Sequence, residues 1–188
     1  PATYAVVVVA VAGTFTGTSG SLSFEQWKNA GIVIIDSVKG YFDWNITAPA
    51  TLTTIAAGTK GNTIRSYAGR VWIGNSRTVS FTDVNSYNSF AGAGGSFTIS
   101  DSTLHNTITA LVTANNFLYI IGDDSIDVLG NVAVAGGVTT FTRTNVTASI
   151  GSSNPASMFP YYRSVAFAAS DGFYSLSGAT PQKMSDKL

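Results

Sequence analysis

Four stretches of this chain align with one another without a gap, and that self-similarity limits the fold more than any other feature. They are NAGIVIIDSVKGYFDWN at 29–45, YAGRVWIGNSRTVSFTD at 67–83, ANNFLYIIGDDSIDVLG at 114–130 and YRSVAFAASDGFYSLSG at 162–178. Their starts lie 38, 47 and 48 residues apart. Each reads as a short turn, an apolar strand, a polar turn and a second strand. The first strands cover 32–35, 71–73, 117–121 and 165–169, and the polar turns 36–40, 74–77, 122–125 and 169–172. The second strands alternate through Tyr41 and Asp43, Val79 and Phe81, Ile126 and Val128, and Phe173 and Ser175. The spacing predicts four antiparallel hairpins.

Further strand candidates lie between the hairpins: TIAA at 54–57, SFTIS at 96–100 and VTTFTRTNVT at 138–147. A period of 40–50 residues with about four strands per unit fits a propeller blade. Helical periodicity is nearly absent. Only SFEQWKNA at 23–30 reads as a helical turn or two, with Ser23 as its cap. AGAGGS at 91–96 is the most linker-like stretch. The expected fold is therefore all-β, a β-propeller-like array of antiparallel hairpin blades in one domain over 1–188, an incomplete propeller or a fragment of a larger one. The apolar run YAVVVVAVAG at 4–13 is half the ~20 residues of a membrane helix and lacks the basic start of a signal peptide. Its valines favour a buried strand. That strand is expected at 6–11, in a blade whose other strands precede Pro1, with an edge covered by another chain or by residues upstream.

Composition narrows the chemistry. Only 11% of the residues are charged, the formal net charge is zero, and there is no cysteine. No global positive field draws in nucleic acid, and neither a disulfide framework nor a thiolate metal site exists. The one histidine, His105, is the sole imidazole for a serine triad, and no G-x-S-x-G elbow accompanies it. It reads as a turn or surface residue.

The carboxylates are the remaining chemical candidates. Asp123, Asp124 and Asp127 crowd into five positions. Asp123 and Asp124 fall in the polar turn of one repeat, where serine, asparagine and glycine stand in the others. Asp127 falls on the second strand, as Asp43 does. The structural reading is favoured, with calcium as the alternative. Asp36, Asp43, Asp83, Asp101, Asp127 and Asp171, with the single glutamate Glu25, are the candidates for a glycosidase pair, and all read as turn or strand-end residues. GTKGNT at 58–63 lacks the glycine spacing of a phosphate loop and reads as a turn. Trp27, Trp44, Trp72, Tyr161 and Tyr162 are candidates for stacking on sugars, against a core role between blades. Sequons at Asn45 and Asn145 matter only in a secreted eukaryotic protein. No catalytic, cofactor or metal residue is assigned.

Four longer stretches resemble the packaged-DNA stabilisation and tail-hub (nozzle) proteins of tailed bacteriophages, particularly short-tailed ones. They are SYAGRVWIGNSRTVSFTDVNSYNSF at 66–90, SFTISDSTLHNTITALVTANNFLYIIGDDSIDVLG at 96–130, IGSSNPASMFPYYRSVAFAASDGFYSLSG at 150–178 and the terminal ATPQKMSDKL. Order and spacing match over roughly 63–188, and the first 60 residues match through the hairpin at 29–45. The resemblance implies a β-propeller in a ring below the portal that closes the DNA channel after packaging. It implies a non-enzymatic virion protein without cofactors, located in the tail. Its implied partners are the portal, an adaptor, a tail fibre or needle, and further copies of itself in a homo-oligomeric ring. Packaged DNA would pass nearby without sequence-specific contact, and no stable membrane insertion is implied. Two other functions fit the pattern of strands and turns: a receptor-binding tail-fibre or adhesin module, and a propeller glycosidase or lyase.

Overall fold

The computed structural model describes residues 14–16, 22–28, 31–45, 52–100, 102–104 and 106–185. The valine-rich strand expected at 6–11, Asp101 and His105 lie outside the described residues. The described residues are all-β, built as four successive four-stranded antiparallel sheets, each a meander whose spatial order is its chain order. The first sheet holds β1 (Leu22–Trp27), β2 (Gly31–Asp36), β3 (Gly40–Asn45) and β4 (Leu52–Ala56). The second holds β5 (Thr63–Tyr67), β6 (Arg70–Asn75), β7 (Thr78–Phe81) and β8 (Gly95–Thr98). The third holds β9 (Ile108–Ala114), β10 (Phe117–Gly122), β11 (Ile126–Ala135) and β12 (Val138–Thr147). The fourth holds β13 (Phe159–Tyr161), β14 (Ser164–Ala169), β15 (Gly172–Ser177) and β16 (Thr180–Lys183).

The aligned stretches supply the two middle strands of every sheet. β2 pairs with β3, β6 with β7, β10 with β11 and β14 with β15, each as an antiparallel hairpin. The strand candidates between them fall on β4, β8 and β12. Two local expectations are corrected. The stretch at 23–30 is no helical turn: Leu22–Trp27 is β1, paired with β2 along its whole length. Its alternation sends Glu25 and Trp27 to one face and Leu22 and Phe24 to the other, and pairing with β2 outweighs a weak helical preference. The glycine-rich stretch at 91–96 is no linker either. Ala93 is buried, its carbonyl accepts bonds from Arg70 and Thr139, and Gly95 opens β8.

Alternation gives every sheet two faces, and the sheets pack in series through them. Trp27, Val33, Ile35 and Tyr41 of the first sheet meet Ile64, Val71 and Ile73 of the second. The other face of the second sheet, with Trp72, Val79 and Phe81, meets Leu111, Leu118, Ile120 and Leu129 of the third. The other face of the third, with Val112, Tyr119, Ile121 and Val128, meets Val165, Phe167, Tyr174 and Leu176 of the fourth. Full burial of each such side chain contributes roughly 1.5–3 kcal/mol.

Polar bonds follow the same repeat. Tyr41 Oη donates to the Tyr87 carbonyl at 2.7 Å, Asn62 Nδ2 to that of Ile108 at 2.7 Å, and Arg65 Nε to that of Leu111 at 3.2 Å; each spans 46 residues, one repeat length.

The turn of β10–β11 is held from behind by the segment after β12. Ser152 N–H donates to the Gly122 carbonyl at 2.8 Å, and Thr109 Oγ1 donates to the Ser152 carbonyl at 2.7 Å. A Cβ on Gly151 would stand 2.3 Å from Gly122 O and 2.6 Å from Asp124 N. Both are backbone atoms and cannot swing aside. Gly151→Ala is therefore expected to cost about 2 kcal/mol in urea unfolding. Gly58→Ala, which meets nothing within 4 Å, is expected to change stability by no more than about 0.5 kcal/mol.

Candidate functional site

Two regions stand out once the carboxylates are placed. The acids do not converge among the described residues; no group of three or more histidine, aspartate or glutamate side chains there is arranged to hold a metal ion. Asp36, at the β2–β3 turn, accepts from Thr16 N and Oγ1 at 2.6 and 2.9 Å and from the Val38 and Lys39 amides at 2.8 and 2.9 Å. Burial alone would raise this carboxyl, but the bonds from Thr16, Lys39 and Val38 outweigh it and hold it below the ordinary aspartate range. Asp43 accepts from Tyr87 Oη at 3.2 Å. Asp83 accepts from the Val84 and Ala93 amides at 2.7 and 3.3 Å, closing the loop between β7 and β8. Asp171 sits at the β14–β15 turn, where the Tyr174 hydroxyl at 2.8 Å and then Lys183 hold it below its usual range. Glu25 bonds Arg65, at 3.2 Å, and the amide and hydroxyl of Ser66.

Of the three clustered aspartates, Asp123 and Asp127 separate by role. Asp123 sits in the turn and accepts from Asn106 Nδ2 at 2.6 Å and weakly from the Thr107 amide at 3.4 Å. Asp127 is buried on β11, 2.7 Å from Asn145 Nδ2 and 3.5 Å from Arg143 Nε. Burial pushes its carboxyl above the ordinary aspartate range, against the pull of Asn145 and Arg143. A group raised on folding contributes stability that is full below its unfolded value and is lost as pH rises through its folded value. Asp36, lowered on folding, does the reverse and loses its contribution as pH falls through its folded value. Asp127→Asn is therefore expected to gain stability relative to wild type as pH rises from about 4 to 7, measured by urea unfolding across that range. A difference independent of pH would contradict it. Asp123→Asn is expected to change stability by at most about 1 kcal/mol, since the turn accepts asparagine and, besides the weak bond from Thr107, only the exposed bond from Asn106 is at stake. Thermal unfolding should give the same midpoint with and without added calcium; a calcium-dependent rise would contradict the structural reading.

The first region is a cavity where the first strands of successive sheets converge. β1 adjoins β5, β5 adjoins β9 and β9 adjoins β13. Between them lies a space of about 180 Å³ lined by Ser23 and Phe24, Asn62 to Arg65, Thr109 to Val112, and Pro155 and Met158. Its polar groups are largely engaged in holding sheets together. Thr63 Oγ1 accepts from the Leu111 amide at 3.0 Å, and Arg65 joins Glu25 of the first sheet to the Leu111 carbonyl of the third. Nothing in the sequence pattern pointed to Arg65, which sits in no aligned hairpin, and Asn62 came into view only as part of the GTKGNT turn.

The second region is the pair of faces at the two ends of the series. On the first sheet, the face turned away from the second carries Leu22, Phe24, Ile32, Ile34, Phe42 and Trp44, by register. Leu22, Phe24, Ile32, Ile34 and Trp44 line a wholly apolar hollow of about 230 Å³, and Phe24 is 70% exposed. Phe15 covers one corner, its ring edge-on to Phe42 at 5.3 Å. On the fourth sheet, the face turned away from the third carries Phe159, Ala166 and Phe173. With Met184 they line an apolar hollow of about 480 Å³. Phe159, Phe173 and Met184 are each exposed by 40–60% of their surface. Contiguous exposed apolar surface of this kind marks an interaction site more often than isolated residues do.

The aromatics divide accordingly. Trp27 and Trp72 are core residues, which removes them as sugar platforms. Trp44 is half-buried on the open face of the first sheet. Tyr161 and Tyr162 are exposed at the β13–β14 turn, with Tyr162 at positive φ and their rings in edge contact at 4.7 Å. No protein-family model matches the chain, and a search of curated proteins found no match to it. No helix among the described residues is long and apolar enough to cross a membrane.

Proposed function

We propose that this chain is a structural virion protein, a propeller-type component of a phage tail hub or nozzle below the portal, where it helps retain packaged DNA and attach tail parts. The observation that carries this reading is the exposed apolar side chains on the two end faces of the series, Phe24 on one and Phe159 and Phe173 on the other. Four meander sheets in chain order, with their first strands side by side, are the arrangement expected of propeller blades. Exposed apolar surface of this kind suits contact with further protein. The sequence resemblance over roughly 63–188 supplies the setting: portal, adaptor, and tail fibre or needle as neighbours in a ring-shaped assembly. A net charge of zero suits a wall that DNA slides past without specific contact.

The role is mechanical rather than enzymatic. Asp36, Asp83 and Asp127 each bond groups that hold a turn, a loop or a strand, which weighs against a glycosidase or lyase. The exposed Tyr161–Tyr162 pair favours one other reading, a receptor-binding adhesin, since paired aromatics at a tip suit sugar stacking. Immunogold labelling of particles that carry the protein separates the two. Gold at the vertex beneath the portal is expected. Gold at fibre tips would favour the adhesin, and absence from the particle would overturn both.

A further inference from the structure

We propose that the outer edge of β12 pairs with the same edge of a second copy of this chain, antiparallel and with Thr142 opposite Thr142, so that two third sheets join into one. The inference stands apart from the tail-hub reading and from the end faces of the series. β12 lies inside the unbroken described stretch 106–185, far from either end of the series.

The outer strands of the four sheets are not alike. β4, β8 and β16 have five, four and four residues. Strands that short offer few free backbone groups, and β16 adds Pro181 and Lys183, two residues that discourage pairing. β12 runs for ten residues with neither proline nor lysine. It is the last strand of its sheet, and among the described strands it pairs only with β11. Its one charged residue, Arg143, is engaged by Asp127 at 3.5 Å and by the Phe97 ring at 5.2 Å. Val138 is 64% exposed, and Thr140, Thr142 and Thr144 are exposed on the same side of the strand. A long edge of β-branched residues without such guards is a template for another strand.

The occupant follows from register. From Val138 to Asn145 β12 is regular. The extra residue between Gly130 and Ala133 lies on β11, and β12 gains one of its own only at Val146. Thr142 is the midpoint of the stretch from Thr139 to Asn145. A twofold axis through it sets Thr140 opposite Thr144, and Phe141 opposite Arg143, in both halves of the pair. Threonine opposite threonine is a favourable cross-strand pair. The chain already uses one: Thr78 and Thr98 face each other on β7 and β8, with their hydroxyls 3.1 Å apart. Arginine beside an aromatic ring is favourable too. Moving the axis to Arg143 would set two guanidinium groups opposite each other, a destabilising pair. Moving it to Thr144 would run the pairing into the extra residue at Val146. The strand is thus complementary to itself, and an isologous contact of this kind closes at two copies.

The test uses the purified full chain in sedimentation equilibrium at micromolar concentration. The expected species is a dimer, twice 19.5 kDa. Thr142→Lys and Thr142→Glu each put like charges opposite each other across the axis, and each is expected to sediment as a monomer. Mixed in equal amounts they are expected to restore the dimer, because lysine then meets glutamate. Thr180→Lys, at an exposed position on β16, should leave the dimer intact. Circular dichroism checks that each variant keeps its strands. The chain has no cysteine, so a single introduced thiol reports its own neighbours. Thr142→Cys is expected to link two chains under mild oxidation, and Thr180→Cys to stay unlinked. A monomeric wild type, with the edge free or covered by another segment, would overturn the proposal. So would folded variants at Thr142 that sediment like wild type, a mixture that stays monomeric, or equal linking of the two cysteine variants. None of these results touches the labelling of the particle, which tests the tail-hub reading separately.

Discussion

Trp72→Ala is expected to lower the unfolding free energy by about 4 kcal/mol, read from urea denaturation at neutral pH. Trp72 is fully buried on β6, in the middle of the interface between the second and third sheets. Its ring lies 4.8 Å from that of Phe81 and 6.1 Å from that of Phe141, centroid to centroid, and its Nε1 donates to the Tyr67 carbonyl at 3.0 Å. Truncation removes the ring, opens a cavity lined by rigid strands and leaves that carbonyl without its donor. A domain of ordinary stability has about 5–15 kcal/mol in total, so the variant should sit near the edge of folding. Trp72→Phe keeps most of the volume and should lose roughly half as much. Equal losses for the two would place the effect on the hydrogen bond instead of the packing.

Arg70→Ala is expected to cost about 3 kcal/mol, and Arg70→Lys nearly as much. Arg70 is 1% exposed at the start of β6. Its Nη1 donates to the carbonyls of Thr82, at 2.6 Å, and Ala93, at 3.2 Å. Those two carbonyls are the two ends of the loop between β7 and β8. Thr82 Oγ1 adds a bond to the Ser86 carbonyl and receives one from the Val71 amide. The guanidinium lies 5.8 Å from the Phe81 ring. Burial lowers its basicity, and the Asp83 carboxylate works in the opposite direction. Both bonds leave the single Nη1 nitrogen at the tip of a long, weakly hydrated guanidinium, and a lysine ammonium, shorter in reach and more strongly hydrated, is costlier to bury there. Hydrogen exchange should show the amides of Asp83 and Ala93 losing protection in either variant. Protection unchanged in that loop would contradict the role given to Arg70.

The middle hairpins were legible because two signals coincided in them. In residues 117–128, for example, an apolar run, a turn of Asp and Ser, and an alternating strand follow one another, and the same order recurs three more times. The first strands were harder to read. Glu25 and Gln26, with Lys28 just beyond, give β1 a polar, helix-like look, and only the pairing of β1 with β2 reveals that Phe24 and Trp27 lie on opposite faces. The loop over 82–94 was also illegible. Its glycines and serines suggest a flexible joint, whereas a buried arginine from β6 and the Asp83 carboxylate tie it down. β11 runs to Ala135, past the end of the aligned stretch, because β12 continues to pair with it.

The candidate faces illustrate the same limit. Phe24, Ile34, Phe159 and Phe173 look like ordinary core residues in a string of letters. Their significance comes from position in the series, since the equivalent faces of the middle sheets are covered. Asp127 shows the reverse. It looked like part of an acidic cluster, yet it is separated from Asp123 by burial and bound to Asn145 and Arg143 on the neighbouring strand.

Electron cryomicroscopy of the assembled particle tests the central claim most directly, because it sees the end faces in place. The expected density puts the four-sheet unit in the ring below the portal, with protein packed on Phe24 and Trp44 at one end and on Phe159 and Phe173 at the other. A four-sheet unit standing alone at a fibre tip, with both of those faces bare to solvent, would contradict it.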